Sequence, residues 1–322
     1  MSLDTQNNYL VTGGAGFIGS NIVKELLQKE QKVRVLDNFA TGKRENLFEF
    51  KNNPDFELIE GDLRSFHVVR TAVKGMDYIL HQGALPSVPR SIHDPLTTND
   101  VNILGTLNIL EAAKEFGVKR VVYASSSSIY GDNKTLPKNE DMSINPLSPY
   151  ALSKYTGEHY CRIFTRIYGL ETVCLRYFNV FGPNQDPTSQ YSAVIPKFIR
   201  LMSEGKRPII YGDGTQSRDF TYVSNIVAAN LLACTVEGIG GELFNIACGQ
   251  SYTLLHLVDT LNRILETNIE PMFEEERPGD VKHSLADISR AEEKLGFRVI
   301  TRFEEGLTEL VIEMSDKRKD AR

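Results

Sequence analysis

The chain has 322 residues, 41% of them hydrophobic and 24% charged, which fits one large globular domain or two joined ones. A formal charge of −6 gives no electrostatic reason to expect nucleic acid or an anionic membrane as a partner. Cys161, Cys174, Cys234 and Cys248 stand far apart without CxxC spacing, and the six histidines form no HxxxH or HxxE cluster, so no metal site is predicted and a reducing compartment is. The polar start MSLDTQNN and the lack of any run of about 18 apolar residues predict a cytoplasmic protein without a membrane span.

From Tyr9 short apolar runs alternate with helix-like stretches: YLVTG, a helix over about 17–29, KVRVLD, a second helix, FELIEGD, a third, DYILHQG, a long helix through NILGTLNILEAAKEF, then RVVYASSSS. Apolar runs without strict alternation, separated by amphipathic helices, are what a parallel sheet covered on both faces produces. The prediction is an α/β, Rossmann-type doubly wound domain. Past TVCLRYFNVFG the texture changes: Pro183, Pro187 and Pro196, a looser strand pattern and helices over about 195–203 and 254–265 predict a smaller C-terminal α+β portion. The expected division is 1–176 for a dinucleotide-binding domain, with a segment returning to it near 216–235, and 177–322 for a substrate domain. The tail SDKRKDAR is expected to be solvated.

The first turn, VTGGAGFIGS, spaces Gly13, Gly16 and Gly19 as GxxGxxG. Glycine is needed where the backbone turns tightly, approaches a pyrophosphate and lets a helix pack on a strand. Here an apolar strand precedes the motif, a helix follows, and KVRVLD ends in Asp37, 18 residues beyond Gly19. A carboxylate there accepts bonds from an adenosine ribose and repels a 2′-phosphate, which favours NAD over NADP. Two later turns fall on the same sheet edge: Gly61-Asp62-Leu63, whose Asp62 could reach the adenine, and His81-Gln82-Gly83-Ala84.

Residues 148–155 read SPYALSKY, with Ser148 and Pro149 as cap and first turn of a helix. Tyr150 and Lys154 then share one helical face. Tyrosine is a poor base at its reference pKa of about 10. A neighbouring ammonium, helped by the positive ring of the oxidised cofactor, would stabilise the phenolate. The helix follows the strand that ends in the block ASSSSIYG, so the serines are expected to line the floor of an active site, one of them orienting the hydroxyl that Tyr150 deprotonates.

Taken together, TGGAGFIGS, DNFATG, GDLR, the serine block, SPYALSKY, RYFNVFGP, GDGTQSRDFTYV and RPGDVKHSLAD resemble the extended short-chain dehydrogenase/reductases, and within them the nucleotide-sugar 4-epimerases. The resemblance covers nearly the whole chain. It puts the catalytic hydroxyl at Ser126 and makes Ser127 and Ser128 wall residues. It implies Phe17, Ile18, Asn38, Gly42, Leu63, Gln82, Ala84, Asn102 and Tyr177 at an NAD site that also includes Tyr150 and Lys154. For a UDP-sugar it implies Asn179 and Arg218 at the diphosphate, Arg277 as a second guanidinium, Asp280 at a ribose hydroxyl, Val194 and Ile195 beside the uracil, and Tyr211 in the same pocket. Guanidinium forks suit phosphate oxygens.

In the mechanism so implied, Tyr150 takes the O4 proton as hydride leaves C4, and Ser126 bonds O4. The 4-keto sugar then turns about its diphosphate link and is reduced from the other face, with no net redox. Sister dehydratases resemble the same pattern but carry an Asp-Glu pair where this chain has Ser127-Ser128, so elimination is disfavoured.

Ser284 stands at the family's size gate, leaving room for an N-acetyl group at C2. The segments ALPSVPRS and QDPTSQYSAVIP look like the N-acetylhexosamine-preferring enzymes of surface polysaccharide pathways, with Ser87 and Gln185 near the sugar. One departure is Pro86 directly before Ser87, which fixes φ and removes an amide donor.

The expected reaction is therefore interconversion of UDP-GlcNAc and UDP-GalNAc, with UDP-glucose and UDP-galactose as further substrates. UDP-glucuronate epimerisation, with Arg90 as the carboxylate's cation, is the alternative, and a non-catalytic NAD and nucleotide-sugar module a third. The resemblance also implies a homodimer built on the helix of NILGTLNILEAA and the helix after SPYALSKY.

Overall fold

The computed structural model describes residues 5–186, 194–276 and 282–320, with side chains to 316. β1 Asn8–Thr12, α1 Phe17–Gln28, β2 Lys32–Asp37, β3 Phe56–Glu60, α2 Phe66–Val73 and β4 Tyr78–His81 open the chain. Where a second helix is expected between β2 and β3, RENLFEF makes only a 3-10 turn, Arg44–Phe50. Its seven residues bury just Leu47 and Phe50, too small an apolar face for a longer α-helix.

After α3 Val88–His93 comes one long helix over 95–116: α4 Pro95–Asn99, a π-helical turn Asp100–Leu104, and α5 Gly105–Phe116. β5 Arg120–Ser126, a 3-10 turn Ser127–Tyr130, α6 Pro149–Tyr168 and β6 Glu171–Tyr177 complete the main run. The start of α6 is built as its sequence dictates: Ser148 Oγ accepts from Ala151 N at 3.1 Å and Pro149 sits in the first turn.

Beyond β7 Val180–Phe181 lie α7 Val194–Ser203, β8 Ile209–Tyr211, β9 Ser217–Arg218, β10 Thr221–Tyr222 and α8 Val223–Thr235. β11 Leu243–Ile246, β12 Tyr252–Thr253, α9 Leu254–Leu265, β13 Met272–Glu274 and α10 Phe303–Asp320 follow. All seven strands of the main sheet run parallel in the order β11-β6-β5-β4-β1-β2-β3. The order reverses between β1 and β4, so the carboxyl ends of those strands open a crevice.

The chain returns to this sheet after the second lobe has begun. α8 packs on it beside α1, and β11 pairs with β6. Arg120 secures the return: Nη1 donates to Ala233 O at 2.8 Å and Val236 O at 2.6 Å, at the C-terminus of α8, and Nε donates to Glu171 at 2.8 Å. We therefore count 223–246 with the sheet. The second lobe has its own core, with Phe181, Ile195, Phe198, Phe220, Leu257 and Phe303 buried together.

α6 packs directly on β5 at Gly157, whose missing side chain leaves room for the ring of Tyr123. A Cβ at Gly157 would overlap the Tyr123 hydroxyl and ring, and Tyr123 is 1% exposed. Overpacking in Gly157→Ala is expected to cost about 2–3 kcal/mol, which outweighs alanine's better helix propensity of about 1 kcal/mol and leaves the variant less stable. Urea unfolding of the two proteins measures it.

Candidate functional site

β1 leaves the sheet at Gly13, whose φ of +67° favours glycine and where a Cβ would overlap the backbone of Gly83. At Gly19 a Cβ would run into the carbonyl of Gly13, so α1 can begin hard against the turn only with glycine there. The N-terminus of α1 faces a cleft of about 710 Å³. Asp37 closes the next strand end and is pinned from both sides, accepting from Ala15 N at 2.9 Å and Phe39 N at 2.7 Å. Burial raises its carboxyl pKa and these two amides oppose the rise.

The same cleft is lined by Gly16, Phe17, Ile18, Asn38, Asp62, Leu63, Gln82, Ala84, Ser87, Tyr150, Lys154, Tyr177 and Gln185. Asn38 donates to Asp62 at 2.9 Å, and Asp62 is held down to about 2, chiefly by Arg64. Two expected residues act from behind the wall. Gly42 packs on Ala15, where a Cβ would not fit. Asn102, in the π-helical turn, clasps the backbone of Leu85, accepting from its N–H at 2.8 Å and donating to its carbonyl at 3.2 Å.

One residue that local spacing does not flag holds this wall together. Asn230, fully buried on α8, accepts from Gln82 Nε2 at 3.0 Å and donates to Tyr177 Oη at 2.8 Å. Tyr177 in turn reaches Gln82 Oε1 at 3.1 Å. Its partners lie 148 and 53 residues away, so no motif could show it.

At the other end of the cleft Tyr150 and Lys154 of the expected catalytic set line the wall, and Ser126 follows the lining residue Ser125. Partial burial raises the Tyr150 phenol, and the neighbouring Ser126 hydroxyl opposes that. Ser126 also accepts from Ser128 N at 3.2 Å as the cap of the 3-10 turn. Lys154 is 4% exposed, and burial lowers its ammonium to about 8. Its Nζ donates to Ala124 O at 2.8 Å and lies 5.1 Å from the Tyr123 ring centroid. Ser127 and Ser128 form the 3-10 turn, and Ser128 Oγ is buried with no hydrogen-bond partner among the described residues.

The expected nucleotide residues sit on the facing lobe. Asn179, at φ +35°, donates to Asp219 O at 3.2 Å and to Ser284 Oγ at 3.3 Å. Arg218 on β9 donates to Ser217 O and Lys282 O. Tyr211 ends β8, Val194 opens α7, and Gln185 donates to Val180 O at 3.2 Å. Ile195 is turned into the second core at 1% exposure, an apolar anchor for α7. Arg277 and Asp280 lie outside the described residues. Ser87 is in the left-handed half of the map at φ +96° and caps α3 through Arg90 N.

Asp219 is the acid that organises this side. It is buried, and its carboxylate accepts from the amides of Cys248 at 3.0 Å, Gly249 at 3.1 Å and Ala286 at 3.2 Å. Among the described residues no group of three His, Cys, Asp or Glu side chains could hold a metal, and no helix is long and apolar enough to cross a membrane.

The glycine cradle at a helix N-terminus, with the oriented Asp37 carboxylate beside it, fits a dinucleotide. Comparison with known proteins agrees. The sequence profile of the NAD dependent epimerase/dehydratase family matches residues 9–247. A putative UDP-glucose 4-epimerase of Methanocaldococcus jannaschii is 39% identical over 94% of this chain and 96% of its own.

Among solved structures, the UDP-N-acetylglucosamine 4-epimerase of Methanobrevibacter ruminantium, in complex with UDP-N-acetylmuramic acid, is similar at 43% identity and a TM-score of 0.93. The alignment covers 97% of this chain and 99% of that one. The UDP-glucose 4-epimerase of Thermotoga maritima with UDP-glucose is similar at 37% identity and a TM-score of 0.91, over 97% and 99% of the two chains. With the profile covering most of its length and these relatives aligned end to end, the chain belongs to the NAD-dependent epimerase/dehydratase family.

Proposed function

We propose that this chain is a UDP-sugar 4-epimerase whose preferred reaction interconverts UDP-GlcNAc and UDP-GalNAc, with UDP-glucose and UDP-galactose as further substrates. The observation that carries the reading is Tyr150 with Lys154 one helical turn on, both lining the end of a glycine-cradled cleft suited to a dinucleotide, with Ser126 at the end of the neighbouring strand. The named activities of the similar Methanobrevibacter and Thermotoga proteins support the reaction class.

Bound NAD supplies a reversible hydride acceptor for C4 of the sugar. Gly13, Gly16 and Gly19 hold its pyrophosphate at the start of α1, and Asp37 accepts from a ribose hydroxyl. Tyr150 removes the O4 proton and later returns it, while Ser126 keeps O4 in line. Lys154 supplies the positive charge that favours the Tyr150 phenolate. Asn179 and Arg218 hold the diphosphate with Arg277 as a second guanidinium, Asp280 bonds a ribose hydroxyl, and the 4-keto sugar turns about that anchor. The small Ser284, bonded to Asn179, leaves space for an N-acetyl group at C2. UDP-glucuronate is the second reading, because Arg90 lines the cleft with Ser87 and could meet a carboxylate.

We also place the enzyme in the cytoplasm as a homodimer. Leu96 and Leu104 on the long helix, and Leu152, Ile163 and Ile167 along one face of α6, are exposed apolar side chains suited to pairing two copies. Replacing Leu152 and Ile163 together by Asp is expected to give a folded monomer in analytical ultracentrifugation where the parent sediments as a dimer.

NMR of the purified protein with UDP-GlcNAc is expected to show UDP-GalNAc, with none formed by Tyr150→Phe. Conversion of UDP-glucose alone would move the sugar preference, and conversion of UDP-glucuronate alone would favour the second reading.

Lys154→Met is expected to lower turnover by about 10²–10⁴-fold. It also has a signature in stability. Because Lys154 titrates near 8 in the fold and at its ordinary 10.5 when unfolded, the unfolded chain holds one more proton between those values, so stability rises with pH there. Urea titrations across that window are expected to lose this rise in Lys154→Met.

A further inference from the structure

Beneath the catalytic pair lies a charged cluster that the reaction as described does not use. Glu158 on α6 and Arg176 on β6 are each 2% exposed. They meet as a two-pronged pair, Arg176 Nε to Glu158 Oε1 at 2.9 Å and Nη2 to Oε2 at 2.9 Å. A buried ion pair is weak as a stabilising device, since a well-packed apolar pair of the same size often does as well. Its remaining bonds suggest another use.

Ser125 donates to Glu158 Oε1 at 2.6 Å. Arg176 Nη1 donates to Tyr130 Oη at 2.8 Å, and Tyr130 Oη donates to Asn245 Oδ1 at 2.7 Å. Ser125 is the residue before Ser126, and Tyr130 ends the 3-10 turn that Ser126 caps. The pair therefore grips the serine turn at its entrance and at its exit. Glu158 also stands four residues beyond Lys154 and eight beyond Tyr150, on the same face of α6.

We propose that the Glu158–Arg176 pair positions the catalytic hydroxyls, tying both ends of the serine turn to the helix of Tyr150 and Lys154 and so setting Ser126 against Tyr150. The pair is neutral as a whole, so it acts through geometry rather than through a net field. Ser126 accepts from Ser128 N within that turn, and a hydroxyl held where it can donate to Tyr150 favours the phenolate. Other titratable groups surround the two sites. Tyr123 neighbours both Tyr150 and Glu158, Cys174 neighbours Glu158 and Arg176, Cys161 neighbours Lys154, Tyr123 and Cys174, and Glu140 adjoins Arg176 and Tyr130.

The test leaves the pair itself intact and cuts its two links, Ser125→Ala and Tyr130→Phe, in the full chain with NAD added. Ser125→Thr is the conservative control, since it keeps the hydroxyl. Folding is followed by urea unfolding. For Ser125→Ala, Tyr130→Phe and the double variant we expect KM for the sugar nucleotide to hold and kcat to fall, reaching about 10- to 100-fold in the double variant. The acid limb of the kcat profile is expected to move up by about 0.5 to 1 pH unit, as the Tyr150 phenolate loses a donor. Ser125→Thr is expected to keep the parent rate and profile.

A purely structural pair would lower the unfolding midpoint and leave kcat and the profile of the folded protein unchanged, and that result overturns the inference. The inference rests on the reading of Tyr150 as base, so a second readout avoids turnover. Phenolate absorbance of each variant, less that of the same variant carrying Tyr150→Phe, titrates Tyr150 directly. A displaced titration upholds the positioning role even if the parent turns over no UDP-sugar, in which case the proposed function fails by itself. An unmoved titration in an active enzyme sinks the positioning role alone.

Discussion

The site depends on how β5 and α6 are joined, residue by residue. Four successive residues of the strand each meet a partner on the helix. Tyr123 fills the gap left by Gly157 and reaches the Lys154 carbonyl, Ala124 O takes the Lys154 ammonium, Ser125 bonds Glu158, and Ser126 neighbours Tyr150. A strand sends alternate side chains to opposite faces, so consecutive contacts to one helix need help from the backbone. Ala124 gives it by offering its carbonyl, and Ser126, still extended, is the last residue before the 3-10 turn. This is why a buried strand ends in hydroxyls: they meet polar groups of a helix that comes too close for bulky apolar contacts.

The second lobe is fixed by a single acid in a comparable way. Asp219 gathers the amides of Cys248, Gly249 and Ala286 and lends its own carbonyl to Asn179. Burial pushes its carboxyl up to about 7 while the amide donors hold it down. Three chain segments are thus brought to one point, and Asn179, Arg218 and Ser284 stand around it. α8, which shares its core with α1, leads out of the Asp219 segment, and the ion pairs Lys43–Asp186 at 3.2 Å and Arg290–Asp141 at 2.6 Å add links between early and late parts of the chain.

Much of this was legible from local pattern. Apolar runs gave the parallel strands, SP before YALSK gave the cap of α6, and the glycine spacing with Asp37 gave the cofactor turn. What local pattern could not supply depends on distant partners. Asn230 faces Gln82 across 148 residues, Arg176 needs Tyr130 from 46 residues before it, and Asp219 draws on 248, 249 and 286. Glu158 was within reach, since its position one turn past Lys154 repeats the Tyr150 to Lys154 step, but a buried carboxylate needs a partner before it means anything, and that partner is on another strand. The 3-10 turn at 44–50 misled for a simpler reason: seven residues with two apolar anchors look helical and are too few to hold a helix.

The cleft wall beside Tyr150 is held by neutral groups, and the hydrogen-bond roles can be followed around it. Thr106 donates to Asn102 O at 2.6 Å, so it accepts from His81 Nε2 at 3.0 Å. The neutral His81 ring then accepts on Nδ1 from Thr12 Oγ1 at 2.7 Å, and Thr12 Oγ1 accepts from Gly83 N at 3.1 Å. Burial lowers the ring to about 3, so it stays uncharged through any working pH. Asn102 and Asn230 complete the frame from either side with amides that cannot titrate. A wall of this kind keeps its shape whatever proton moves beside it, while the buried Lys154 ammonium is held on Ala124 O. Fixed dipoles are a sound setting for a reversible epimerisation, because neither direction has to reorganise its surroundings.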